Sequence, residues 1–186
     1  DERKKLVFEL SSFNIWGDKQ YNRQAQVGLD VKWRPLLSLS LSAGPSYVRG
    51  HSVMQYVETV NHEGADKYLV ARIDRQSLSA NIRINLSITP DLSIQYWGQP
   101  FIFAGDYSEF KTVVNPRAEN FHDQFRCFSS VNIFYSEDEK KINIDENGDG
   151  QVDYTIENPD FKVYEFRSNL VLRWEYIPGS SLYLVW

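Results

Sequence analysis

A short acidic segment carries the residues best suited to chemistry. Oxygen-bearing side chains occupy its alternate positions: Asp145, Asn147, Asp149, Gln151 and Asp153. Counted from Asp145, Gly150 is sixth, where calcium loops of the EF-hand type turn sharply, and the seventh position offers a main-chain carbonyl. Because Ca²⁺ prefers oxygen ligands, this spacing predicts a calcium site.

The same segment departs from the EF-hand pattern at its end. The twelfth position, a bidentate glutamate in EF-hand loops, is Ile156, and Glu157 comes one residue late. The flanking residues 141–144 and 152–156 predict extended chain, not helices. Two interpretations stay open: a calcium loop flanked by strands, and an exposed turn built from Asp, Asn and Gly that needs no metal.

Catalytic motifs are weak in the rest of the chain. His51, His62 and His122 are far apart and fall in predicted loops. The sequence has no Gly-x-Ser-x-Gly, His-Glu-x-x-His or phosphate-loop motif. We assign no catalytic residue, and whether the chain is an enzyme stays open.

Alternation of apolar and polar residues dominates the chain. From Leu78 to Ile88 it has period two without a fault, which predicts a strand with one apolar and one polar face. Similar patterns predict seven strands: about 6–16, 23–33, 36–44, 68–88, 92–103, 162–176 and 181–186. In the first strand the apolar residues change face midway, which predicts a bulge near Ser11 or Ser12.

The amino-acid composition excludes several classes of protein. Of 186 residues, 42% are hydrophobic and 24% charged, which excludes a disordered chain. A net charge of −5 without a dense basic cluster argues against a nucleic-acid partner. The single cysteine, Cys127, excludes a disulfide scaffold. Mean hydropathy is only −0.45, but a membrane barrel presents every second residue to lipid, so this average is compatible with one.

The predicted connections alternate between short and long. Tight turns at Pro35, Pro90 and Pro178 separate longer excursions at 45–67 and 104–161. Transmembrane barrels place short turns on the periplasmic side and long loops outside. The chain is therefore predicted to be all-β, part of an antiparallel up-and-down transmembrane β-barrel with an extracellular loop at about 104–161. Seven is an odd strand number, so the barrel is expected to be incomplete over residues 1–186.

A barrel fold predicts where two groups of side chains lie, one in the lumen and one at the membrane interface. Charged residues of the polar face are expected to point into the barrel lumen and pair with one another there: Lys32, Arg83, Glu165, Arg167, Arg173 and Glu175. Aromatic residues near strand ends are expected to form girdles at the membrane interface: Trp16, Trp33, Trp174 and Tyr176.

Several motifs resemble a known family. They are Asn158-Pro159-Asp160-Phe161, the runs 89–101 and 166–176, Pro178-Gly179-Ser180 and the run 182–186. Together they resemble the barrel end of the DUF5916 family, Bacteroidetes outer-membrane proteins with an N-terminal carbohydrate-binding domain of the family 9 type. The resemblance implies a late portion of a longer barrel without the sugar-binding domain.

The leading hypothesis is a bacterial outer-membrane barrel segment that anchors, or forms a conduit for, a cell-surface protein linked to carbohydrate binding or processing. Its expected partners are membrane lipid, the rest of its own barrel, and glycans or other outer-membrane proteins. One alternative is a surface enzyme resembling glycoside hydrolases, with its site in the loops or in the absent domain. The other is a soluble β-sandwich binding module.

Overall fold

The computed structural model describes residues 4–17, 21–136 and 138–186. A large sheet contains β1 (Leu6–Trp16), β2 (Asn22–Leu36), β3 (Leu39–His62), β4 (Ala65–Ser87), β5 (Leu92–Val113), β6 (Phe125–Cys127), β10 (Phe161–Ile177) and β11 (Ser180–Val185). A small sheet contains β7 (Ile133–Ser136), β8 (Lys141–Ile144) and β9 (Tyr154–Glu157). A 3-10 turn, Phe121–Gln124, precedes β6. No helix in the described residues is long and apolar enough to span a membrane.

The large sheet is antiparallel and follows the chain up and down. Its strand order is β1-β2-β3-β4-β5-β10-β11, and β6 pairs with the far end of β5. The predicted all-β, antiparallel, up-and-down architecture is therefore confirmed, and all seven predicted strands are present. The turn Leu37-Ser38, which follows Pro35 near the end of β2, and the turns with Pro90 and Pro178 lie at one end of this sheet, because alternate connections of such a sheet share an end. We call it the Pro-turn end.

The predicted loop at 45–67 is wrong. β3 continues to His62 and β4 starts at Ala65, so the connection is Glu63-Gly64, with both residues at positive φ. Register shifts between Ser52 and Gln55, and between Tyr56 and Glu58, interrupt the alternation on which the sequence prediction relied. His51 and His62 consequently lie on a strand, not in loops.

One further boundary and one predicted bulge differ from the structure. β5 continues to Val113, so the long connection to β10 covers 114–160, here called the insert, and it contains four short strands. The predicted bulge near Ser11 or Ser12 is also wrong, because β1 pairs with β2 in unbroken register from Leu6–Trp33 to Trp16–Arg23. Phe13 and Ile15 are instead apolar residues on the polar side of an uninterrupted strand.

Three strands project beyond the rest of the sheet. β2 pairs with β3 no further than Ser52, whereas β3 continues for residues 53–62, about 33 Å at 3.3 Å per residue. Together with 65–73 of β4 and 106–113 of β5, this segment forms what we call the arm. β6 pairs with the end of β5, and the Asp160 carboxylate accepts a hydrogen bond of 2.6 Å from the Tyr107 amide.

The main buried core of the described residues lies between the arm and the insert. It contains Leu69, Ala71, Phe110, Phe128, Ile142, Ile144, Tyr154 and Ile156. Leu69 and Ala71 have the same strand parity as Ile73 and Arg83, which places them on the polar face of the sheet. The small sheet of the insert therefore packs on the polar-face side of the arm.

Candidate functional site

One face of the large sheet is apolar across seven of its eight strands, all except β6. Directly paired residues of antiparallel strands point to the same side, so the register traces this face from strand to strand. One such row contains Val31, Ala43, Ile82 and Gly98, and its neighbour contains Trp33, Leu41, Ile84, Tyr96 and Leu170. No described residue covers this face, and Phe8 and Leu10 are 63% and 76% exposed.

The apolar face ends abruptly away from the Pro-turn end. Its last row contains Val27, Tyr47, Leu78, Ile102 and Tyr164. The next row contains Ala25, Arg49, Gln76, Ala104 and Lys162. From Leu78 to Ile88 the band spans ten residue steps, about 33 Å along the strand.

The four predicted girdle residues lie on the apolar face. Trp33 and Trp174 stand toward the Pro-turn end, and the rings of Trp174 and Tyr176 meet edge to face at 6.0 Å. Trp16 lies at the opposite end, paired with Arg23. Tyr47 and Tyr164 were not among the predicted residues, because they lie within long strands and only the register places them at the edge of the band.

The six charged residues predicted for the lumen share the polar face. They form two ion pairs, each within one strand: Arg167 Nε to Glu165 Oε1 at 2.8 Å, and Arg173 Nη2 to Glu175 Oε2 at 3.0 Å. Arg83 lies with Asn85, Gln95, Trp97 and Asn169 in a shallow polar depression. Among the described residues, the ion pairs of these six side chains lie within single strands, and none joins one strand to the next.

The acidic loop is organised around Asp145. Its side chain is almost fully buried, and its carboxylate accepts hydrogen bonds from the amides of Gly148 at 2.6 Å, Asp149 at 3.2 Å and Gly150 at 2.7 Å. Gly148 and Gly150 both have positive φ, which glycine adopts without strain. The loop therefore needs glycine at these two positions to wrap its amides around one carboxylate.

The other oxygens of the loop divide into two groups. Asn147 Oδ1 accepts from the Asp149 amide at 2.8 Å, and Asn147 Nδ2 donates to Asp149 Oδ2 at 3.3 Å, so these side chains lie together. Asp153 instead accepts from the Glu146 amide at 2.7 Å and faces His62 at 3.8 Å. Ile156, at the twelfth position, is buried in the core. In the described residues no three His, Cys, Asp or Glu side chains converge as a metal site.

Sequence reasoning also missed a buried charge beside this loop. Glu146 is 7% exposed, and its Oε1 meets Lys67 Nζ at 3.0 Å and Arg126 Nη1 at 3.1 Å, while Tyr154 donates to Oε2 at 3.3 Å. Burial, and secondly the Glu146 carboxylate, raise the pKa of Tyr154. Lys67 belongs to the arm and Glu146 to the insert, so the cluster fixes one to the other.

The fold and these surfaces define an all-β chain with an open antiparallel sheet, one uncovered apolar face and a small packed unit at one end. Comparisons with models of known protein families, with curated proteins and with solved structures found no match.

Proposed function

We propose that the chain forms part of the wall of a bacterial outer-membrane β-barrel, with its apolar face against lipid. The observation that carries this proposal is the apolar band, continuous over seven strands and uncovered by any described residue. An uncovered apolar surface of this extent is unfavourable in water and marks a membrane or protein contact. At the strand tilt of about 40° that is usual in barrels, its length of about 33 Å along the strand would give the height of about 25 Å that such barrels have.

A soluble sandwich would need a second sheet over the apolar face. In the described residues the small sheet packs on the opposite side, against the arm. This placement supports the membrane proposal over the soluble one. The short Pro turns then lie in the periplasm and the arm and insert lie outside the cell, because outer-membrane barrels keep their short turns on the periplasmic side.

Membrane fractionation of the full-length protein tests this function. We expect it in the outer-membrane fraction, resistant to alkaline carbonate and released only by detergent. Recovery from the aqueous phase without detergent would contradict the proposal and favour a soluble module.

We propose an anchor or a capped conduit in place of an open pore. In a barrel the polar face lines the lumen, and the insert packs on that same side of the arm through Leu69, Ala71 and Phe110. The insert would then lie over the outer mouth of the lumen. Planar-bilayer recordings should show little current for the full-length protein and more after removal of residues 129–158. A steady large current in the intact protein would contradict the cap.

A link to glycans rests on the resemblance to the DUF5916 family alone. We propose that the full-length protein, with its sugar-binding domain, captures or processes glycans while this portion holds it in the membrane. Glycan-array binding by the full-length protein is the expected result. Binding that persists without that domain would move the site into the barrel loops and favour the enzyme alternative.

We propose that the acidic loop, residues 145–153, binds Ca²⁺. Asp145, Asn147 and Asp149, with the main-chain carbonyl of Gln151, would supply its oxygens, while Asp153 is engaged by the Glu146 amide. A bound Ca²⁺ would supply charge neutralisation and hold the loop closed. Calorimetric titration should give heat that is lost in Asp149→Ala and kept in Asp138→Ala. No heat in the unmodified protein would leave the loop as a metal-free turn.

A further inference from the structure

A group of basic side chains surrounds a shallow depression at the edge of the apolar face. The depression, about 310 Å³, is lined by Arg23, Ala25, Arg49, Gly50, His51, Arg72 and Asp74. Across β2 and β3, Arg23 pairs with His51 and Ala25 with Arg49. Two arginines thus stand diagonally on neighbouring strands, within reach of one small ligand.

The three arginines of this group differ in whether a carboxylate lies beside them. Arg72 is bound to Asp74, with Nε to Oδ2 at 2.9 Å, and to Glu109 at 3.5 Å. Arg23 and Arg49 are both exposed, and among the described residues neither has a carboxylate within 4.0 Å. Among the described residues, the guanidinium groups of Arg23 and Arg49 therefore face the depression without a carboxylate partner.

The position of the depression relative to the apolar band limits the class of ligand that can reach it. Arg49 lies one row beyond Tyr47, in the first row past the band, and Trp16 pairs with Arg23. In a barrel wall this is the depth of lipid headgroups, just outside the hydrocarbon. A soluble substrate would be expected on the polar face or in the arm, not on the lipid-facing side.

We propose that Arg23 and Arg49, beside His51, bind the phosphate of an outer-leaflet lipid. This proposal rests on the membrane function proposed above. A guanidinium donates two parallel hydrogen bonds to phosphate oxygens, and two such groups on neighbouring strands can hold one phosphate from both sides. Val27, Tyr47 and Leu78, in the row below, would contact the upper acyl chains.

Thermal unfolding of the full-length protein in detergent tests the site. The probes are lipid A, its dephosphorylated form and inorganic phosphate, because a ligand that binds only the folded state raises Tm. We expect lipid A alone to raise Tm. Arg23→Gln with Arg49→Gln should weaken its apparent affinity roughly tenfold or more, since a charge-assisted hydrogen bond contributes about that factor. Arg83→Gln, on the polar face, should bind as the unmodified protein does.

Each other outcome overturns the inference. Equal stabilisation by dephosphorylated lipid A would show acyl-chain contact without phosphate recognition. An equal shift with inorganic phosphate would show a site for free anions, and unchanged binding by the double variant would place the lipid elsewhere. If the unmodified protein fractionates with the outer membrane while the phosphate dependence is missing, this inference fails and the membrane function stands.

Discussion

Asp145 and Glu146 are adjacent in the chain, yet their carboxylates are held in different ways. Asp145 is surrounded by main-chain amides of its own loop, whereas Glu146 reaches Lys67 and Arg126 from other elements. The first arrangement orders the loop and the second attaches it to the arm. The Asp, Asn and Gly residues of the segment predicted a calcium loop or an exposed turn, but they did not predict that Asp145 would be buried and accept three amides. The second arrangement depends on contacts 79 and 20 residues apart in sequence, which no local pattern indicates.

Replacing Asp145 should loosen the acidic loop. Asp145→Ala removes the charged acceptor of three main-chain amides, so we expect a loss of about 2–3 kcal/mol in the stability of the arm and insert. Hydrogen exchange at Gly148 and Gly150 should accelerate strongly. Asp138→Ala, at an exposed position, should leave that exchange unchanged, and slow exchange in Asp145→Ala would show that the amides find other partners.

The raised pKa of Tyr154 predicts alkaline sensitivity of the insert. The unfolded tyrosine titrates near pH 10, and the folded one titrates higher because of burial and the Glu146 carboxylate. The resulting stability is therefore complete below about pH 10 and is lost as the pH rises above it. Subtilisin should cleave the insert faster at pH 10.5 than at pH 8.

Tyr154→Phe separates this effect from general alkaline unfolding. The variant loses the hydrogen bond to Glu146, about 1 kcal/mol at neutral pH, but has no hydroxyl to ionise. Its cleavage should depend less on pH between 8 and 10.5. Tyr68→Phe, which changes an exposed tyrosine of the arm, should behave as the unmodified protein, and an unchanged pH dependence in Tyr154→Phe would assign the sensitivity to another group.

The strands that form the apolar face were easier to predict than the arm. Residues 78–88 alternate without a fault because one face must be apolar along its whole length. In the arm, β3 has water on one side, a packed insert on the other and two register shifts, so Val57 and Val60 pack inward without a regular spacing. Residues 53–62 of β3 were therefore predicted as a loop, although their composition is suited to a strand.

Two neighbouring residues of β4 test which face meets lipid. Ile84 lies on the apolar face and Asn85 on the polar face, at nearly the same depth in the band. Ile84→Lys should destabilise the folded protein in lipid by about 2–4 kcal/mol, because a lysine near the bilayer centre has no water around its charge. Asn85→Lys should cost less than about 1 kcal/mol. Denaturant unfolding in lipid vesicles measures both, and equal costs would contradict the assignment of faces.

The arm and insert are stabilised in a different way from the rest of the large sheet. The arm and insert have a buried core and a charged cluster, as water-soluble units do. The rest of the sheet has hydrogen-bonded strands and exposed apolar side chains, and it becomes favourable only when lipid or protein covers that face. The sequence indicated the sheet through its alternation, but it did not indicate that the long connection folds back over the polar side.

The most direct test of a lipid-facing wall is the environment of each side chain along β4. Nitroxide labels at single cysteines from 78 to 88, in full-length protein carrying Cys127→Ser and inserted into lipid vesicles, detect collisions with oxygen and with a water-soluble nickel complex. We expect period two: high oxygen and low nickel access at even positions such as Ile82 and Ile84, and the reverse order at Asn81, Arg83 and Asn85. Equal access on both faces, or even positions shielded from oxygen, would contradict a lipid-facing wall.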